Sequence, residues 1–195
     1  LFLLYQPIVE LKTGNVYKAE ALIRWQHPER GTIYPGEFIT IAEETNLITD
    51  IGDWVFKQAV NQVALWQANF NADFQISINK SPKQFISKMG DWVGHLNARG
   101  LDGQSIIVEI TENLLLDVHE LVVKQLLNYR DAGVQVAIDD FGTGYSSLSY
   151  LKKFDIDYLK IDRSFISNMD SQSNDRILCE AVITMAHRLG MKVIA

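Results

Sequence analysis

One cysteine, Cys179, stands in a chain of 195 residues, so no disulfide can form within it. Its place in the helical pattern Ile177, Leu178, Ala181, Val182, Met185 reads as a small core residue and not as a redox centre. Histidine is also scarce: His27, His95, His119 and His187 lie far apart in loops or on helix faces, with no spacing that would bind zinc. No stretch approaches the roughly 18 uninterrupted apolar residues of a membrane span. Residues 1–9 are apolar but lack a basic leader and a small-residue cleavage site, so they read as a strand, not a signal peptide. A cytoplasmic domain is the expectation, with any membrane anchor left to a longer parent. The net charge of -6 withholds the basic surface that DNA or RNA polymers need, yet it leaves room for a small phosphate ester held through cations. With only four prolines and no low-complexity linker, one domain over residues 1–195 is expected.

What the chain does have is a run of buried-strand character, Val134-Gln135-Val136-Ala137-Ile138, that delivers two adjacent acids, Asp139 and Asp140, into Phe141-Gly142-Thr143-Gly144. Two ionised carboxylates in a row do not enter a dry strand end without a compensating positive charge. The residues leave a second role open, in which the acids begin a turn or cap a short helix near Ser146. Repetition favours the first. Phe74 to Ile78 runs into Asn79, Ser105 to Val108 into Glu109, and Asp157 to Leu159 into Lys160 and Asp162.

Helical periodicity fills the gaps between these strands. Pro35 opens a helix to about Asn46, Ile51 to Trp66 carries Val55, Ala59, Val63 and Trp66 on one side, and Ser81-Pro82 starts a short helix. Asp91 to Arg99, Val118 to Arg130 before Gly133, and Asp175 to Leu189 before Gly190 follow. Trp54, Trp66 and Trp92 read as packing residues and Glu43-Glu44 as a solvated helix face. Strand and helix in alternation predict parallel strands joined by right-handed crossovers, a β/α barrel whose functional groups gather at strand C-termini. The chain is short for eight full units, which take about 250 residues. Its opening is also unusual, because the turn Leu11 to Asn15 between the first strand and Val16 to Trp25 permits only antiparallel pairing.

Within that second strand, alternation puts Glu20, Leu22 and Arg24 on one face. On spacing alone this face is either a solvated ladder or part of a site. Taken together, Glu20-Ala21-Leu22, Asn79, Glu109-Ile110-Thr111-Glu112, Asp139-Asp140-Phe141-Gly142-Thr143-Gly144 and Lys160-Ile161-Asp162 resemble the bacterial EAL domains that hydrolyse cyclic di-GMP. The resemblance spans nearly the whole chain. It implies a modified TIM (β/α) barrel with one antiparallel strand, truncated here at its C-terminal end, because the family continues past Ala195 with a Glu-Gly-Val-Glu segment and a further strand.

The same resemblance implies the site. Glu20, Asn79, Glu109 and Asp139 would bind one divalent metal, Asp139 would bridge to a second that Asp140 also contacts, and Lys160 would orient or polarise the attacking water. Oxygen ligands of this kind suit two Mg²⁺ or Mn²⁺ ions. Gln6, Leu22, Arg24 and Asp162 are the implied substrate-binding residues, and Glu112 the acid that anchors the loop from Asp140 to Ser147. Ser81 and Gln84 fit a family pattern but also read as an ordinary N-cap and an exposed helix residue. The implied activity is cleavage of cyclic di-GMP to linear pGpG; the alternative is an impaired EAL domain that serves as a receptor or interaction module. A homodimer and neighbouring GGDEF or sensor domains are the implied partners.

Overall fold

The computed structural model describes residues 1–87, 90–115, 119–142, 151, 154–167 and 174–195. The short helix expected near Ser146, and the part of the expected loop beyond Gly142, lie outside the described residues. The chain divides into two compact units, Leu1–Val108 with Ala132–Val134, and Glu109–Asp131 with Gln135–Ala195.

The first unit opens with β1 (Phe2–Val9) and β2 (Val16–His27), which pair antiparallel as the short turn requires. Gly14 sits at φ 74° in that turn, and its amide donates to the Glu10 carbonyl at 2.8 Å. β3 (Gly31–Ile33) folds back antiparallel on β2, an element without a strand-length apolar run to announce it. His27 makes the reversal possible by accepting from the Glu29 and Arg30 amides through Nδ1. α1 (Pro35–Glu44) and α2 (Ile48–Asn69) follow, and the parallel strand β4 (Gln75–Asn79) lies beside β2.

α2 buries Val55, Phe56, Ala59, Val60 and Val63, a stripe with the 3.6-residue period of one helix face. Trp66 extends that stripe, half-buried between Tyr5 at 4.9 Å and Phe74 at 4.7 Å. α3 (Pro82–Ile86) and α4 (Trp92–Ala98) complete the unit, with Trp92 stacked on Phe56 at 4.4 Å. Lys80 is buried beside these rings, its ammonium 4.1 Å from the Phe85 ring and 4.5 Å from the Trp92 ring.

β5 (Ile106–Thr111) begins in the first unit and ends in the second. In the second unit the strand order continues through β6 (Gln135–Phe141), β7 (Tyr158–Ile161) and β8 (Lys192–Ile194), with β6–β7 and β7–β8 parallel. The sequence puts the two acids at the end of this strand, and β6 runs through Asp139 and Asp140 to Phe141. It does so with an irregularity between Ile138 and Phe141 and with Asp140 in the left-handed region at φ 54°. α5 (Glu120–Asp131) packs Val122, Leu126 and Tyr129 inward, ahead of Gly133 at φ 74°.

α6 (Arg163–Ser167) and α7 (Asn174–Arg188) close the second unit. Cys179 is buried as expected, but Ile177 and Leu178 are 65% and 49% exposed. The apolar residues of α7 therefore do not form the single inward stripe that spacing suggested, since only Cys179 and Ala186 are fully covered. No helix among the described residues is long and apolar enough to cross a membrane.

Candidate functional site

In the first unit the candidate residues share one face of the β1–β2 ribbon. Gln6 pairs with Glu20, Leu4 with Leu22 and Phe2 with Arg24, and residues directly opposite in an antiparallel pair project to the same side. Ala19 and Ala21, each 3% exposed, occupy the other face and form the core. Across the parallel β2–β4 ladder Glu20 aligns with Ser77, so Asn79, two residues on, projects to the Glu20 side. There its Nδ2 donates to Glu20 Oε1 at 2.8 Å. Of the two readings that spacing left open, the solvated ladder gives way to a carboxylate and an amide held together at a strand end.

Arg24 is fixed differently. Its Nη1 donates to the Ile23 carbonyl at 2.8 Å and its guanidinium lies 5.1 Å from the ring centroid of Tyr34. Sequence reasoning passed over Tyr34; the available signal was an aromatic residue held before a proline, one step past a short strand.

Two first-unit expectations require correction. Gln84 is not an exposed helix residue but 1% exposed, because it closes a capping box in which its Oε1 accepts from the Ser81 amide at 3.0 Å. Glu43 is not merely a solvated face either, since its Oε1 accepts from the Ser81 hydroxyl at 2.6 Å and its carbonyl from Lys83 Nζ at 2.7 Å. Gln84 is covered by packing against Gly52 of α2, and Glu43 reaches residues 38 and 40 positions away, neither of which helical periodicity encodes.

In the second unit β5, β6 and β7 deliver Glu109, Asp139 and Lys160. Lys160 Nζ donates to Glu109 Oε2 at 2.6 Å and lies 3.1 Å from Asp139 Oδ1. The Glu109 side chain is 0% exposed and that of Lys160 13%, so the ion pair is sheltered and the buried carboxylate has the cation it requires. Two carboxylates on one ammonium retain a negative charge, a group whose chemistry fits a further cation.

Asp140 extends this acidity outward. Burial pushes its carboxyl above the ordinary range, Asp139 and Asp162 push it further, and Lys160 opposes them. Asp162 is displaced downward because the side chain and amide of Ser164 donate to it, with the amide at 2.9 Å. Asp162 thus caps the start of α6. Glu112 is buried and its Oε2 accepts from the Gly142 amide at 3.2 Å, tying the segment after β5 to the end of β6. Gly142 has φ 100°, and a Cβ there would meet the Phe165 ring at 2.9 Å, so the position admits no side chain.

The donor set is oxygen throughout, carboxylate and amide, with neither thiolate nor imidazole at these strand ends. Glu20 with Asn79, and Glu109 with Asp139, are therefore each suited by their chemistry to a hard divalent cation.

Comparison with known proteins bears on the chain as a whole. The chain is 40% identical over 200 residues to MucR of Pseudomonas aeruginosa, a bifunctional diguanylate cyclase/cyclic di-GMP phosphodiesterase, covering 100% of this chain and 29% of MucR. It superposes on the solved MucR phosphodiesterase in complex with c-di-GMP with a TM-score of 0.91 at 39% identity, over 98% of this chain and 78% of that one. The EAL enzyme Bd1971, solved with cAMP and cyclic di-GMP bound, matches with a TM-score of 0.88 at 34% identity, over 98% of this chain and 54% of that one. Two further relatives, proteins of Sinorhizobium fredii and Mycobacterium bovis, are 42% and 38% identical, and the chain spans 22% and 32% of their lengths. These likenesses show the expected α/β fold of the barrel type, mostly parallel, with antiparallel pairing of β1 and of the unforeseen β3 on β2. The EAL-domain family matches over residues 1–195, and the chain belongs to that family.

Proposed function

We propose that this chain hydrolyses cyclic di-GMP to linear pGpG with the help of two divalent metal ions. The observation that carries the reading is the sheltered group of Glu109, Asp139 and Lys160 at successive strand ends, in a chain that belongs to the EAL-domain family. Glu20, Asn79, Glu109 and Asp139 would hold one Mg²⁺ or Mn²⁺, and Asp139 with Asp140 the second. When bound, such ions lower the pKa of water and neutralise charge on the phosphoryl and leaving oxygens.

The chain's own residues do the rest. Lys160, held as an ammonium by Glu109 and Asp139, keeps a fixed donor beside the ligands and orients the water that attacks. Gln6, Leu22 and Arg24 line the face over which the dinucleotide lies, with Arg24 donating paired hydrogen bonds to a phosphate. Asp162 completes the substrate contacts, and Glu112 anchors the loop after β6 through Gly142. Binding of c-di-GMP by the solved MucR and Bd1971 structures supports the substrate. The whole protein, on this reading, acts as a homodimer beside diguanylate-cyclase or sensor domains, as the bifunctional name of MucR suggests for that relative.

The deciding experiment is a turnover assay on cyclic di-GMP with Mg²⁺, Mn²⁺ or chelator, with products separated by chromatography. Metal-dependent appearance of linear pGpG is the expected result. Tight binding without turnover in either metal would establish a receptor instead.

A further inference from the structure

We propose that Tyr34 is a positioning residue for the substrate phosphate, acting through Arg24 and setting the affinity for the cyclic dinucleotide without entering the cleavage step. The inference rests on the phosphodiesterase reading above, and goes beyond it by adding a residue outside the EAL motifs.

Three features of the first unit carry it. The β2–β3 ladder ends with Trp25 opposite Ile33, so the next residue on each strand brings Tyr34 beside Arg24. Pro35 then confines Tyr34 to extended backbone, observed at φ -89° and ψ 156°, which keeps the residue out of the helix it precedes. Tyr34 is 60% exposed and its side chain makes no capping hydrogen bond, so neither core packing nor helix capping accounts for it.

The state of Arg24 supplies the other half. Its Nε has no hydrogen-bond partner among the described residues, and no carboxylate pairs with the guanidinium there. What holds the group is the Ile23 carbonyl on Nη1 and the Tyr34 ring at 5.1 Å. A half-buried arginine with no counter-charge among the described residues, in a chain of net charge -6, is suited to an anion. An aromatic ring is a suitable holder, since its negative face attracts the cation without consuming the in-plane N–H groups that a phosphate needs.

The test is steady-state kinetics and calorimetric binding of cyclic di-GMP to the full chain with Tyr34→Phe, Tyr34→Leu, Arg24→Ala and the Tyr34→Leu/Arg24→Ala double variant. Tyr34→Phe is expected to match the wild type, because the ring is kept. Tyr34→Leu, with comparable apolar bulk and no ring, should raise KM and Kd about three- to tenfold with kcat within about twofold. In the Arg24→Ala background the same change should add nothing, the signature of one residue acting through the other. Unchanged KM in Tyr34→Leu, or additive losses in the double variant, overturns the inference while leaving the phosphodiesterase reading intact if Arg24→Ala still weakens binding. A wild-type chain that neither binds nor cleaves the dinucleotide overturns both.

Discussion

Asp139 sits where several demands meet: it receives Lys160 at 3.1 Å, accepts from the Asp140 amide at 3.1 Å, and stands at the irregular end of β6. Asp139→Asn keeps that shape and removes the charge, whereas Glu20→Ala removes the acceptor of the Asn79 amide. Each change is expected to lower metal-dependent cleavage of cyclic di-GMP about 10²–10³-fold or more with the far-UV circular dichroism unchanged. Near wild-type turnover in both would contradict the assignment.

Lys80 illustrates a different residue-scale effect. Burial holds its pKa well below the ordinary 10.5, opposed only in part by Asp53. Between its folded pKa and 10.5 the unfolded chain carries a proton that the folded one has lost, so the Lys80 contribution to stability rises with pH across that window. Lys80→Met should flatten that rise, and denaturant melts at a series of alkaline pH values measure it. An unchanged slope would show that the ammonium is not desolvated in solution.

Among elements, the connection from β4 to α3 is the most tightly specified. Asn79 ends the strand, and two residues later Ser81 opens the capping box with Gln84, which is buried against Gly52 of α2. A Cβ on Gly52 would lie 1.8 Å from Gln84 Nε2, and the amide cannot retreat without releasing the Ser81 amide. Gly52→Ala should therefore lose about 1–3 kcal/mol of unfolding free energy, with part of the loss recovered in a Gly52→Ala/Gln84→Ala double variant. Urea titration of the three proteins decides it; full stability in Gly52→Ala alone would show that the packing is loose.

Elements differed in how plainly they were written in the chain. α2 could be read from its stripe because Val55, Ala59 and Val63 recur at helical spacing and do meet the core. α7 was also placed, from Asp175 to Leu189 against Asn174–Arg188, but its buried face could not be read, because its apolar residues spread around the helix and burial picked out only Cys179 and Ala186. β3, three residues long, carries too little pattern for period-two alternation to register.

For the whole molecule, the proposed ions connect chemistry to folding. A cation that binds only the folded chain stabilises it by about 2.7 kcal/mol at a hundredfold excess over Kd. Mg²⁺ or Mn²⁺ should accordingly raise the thermal midpoint by several degrees relative to chelator, on the order of 5–10 °C for a chain of this size. The shift should be largely lost in Asp139→Asn. Equal midpoints with metal and chelator in the wild type would argue against folded-state metal binding.

The linear chain sufficed for the alternation of strand and helix, the antiparallel start forced by a short turn, and the identity of the acids at strand ends, because each depends on neighbours a few residues away. It could not reveal that Gln84 is buried, that Glu43 holds Ser81, that Tyr34 carries Arg24, or that one ammonium serves Glu109 and Asp139. Those pairings join residues 10 to 51 positions apart, or depend on packing against another element, and periodicity carries no record of such partners. Only folding, by choosing which strands lie side by side and which groups lose their water, settles them.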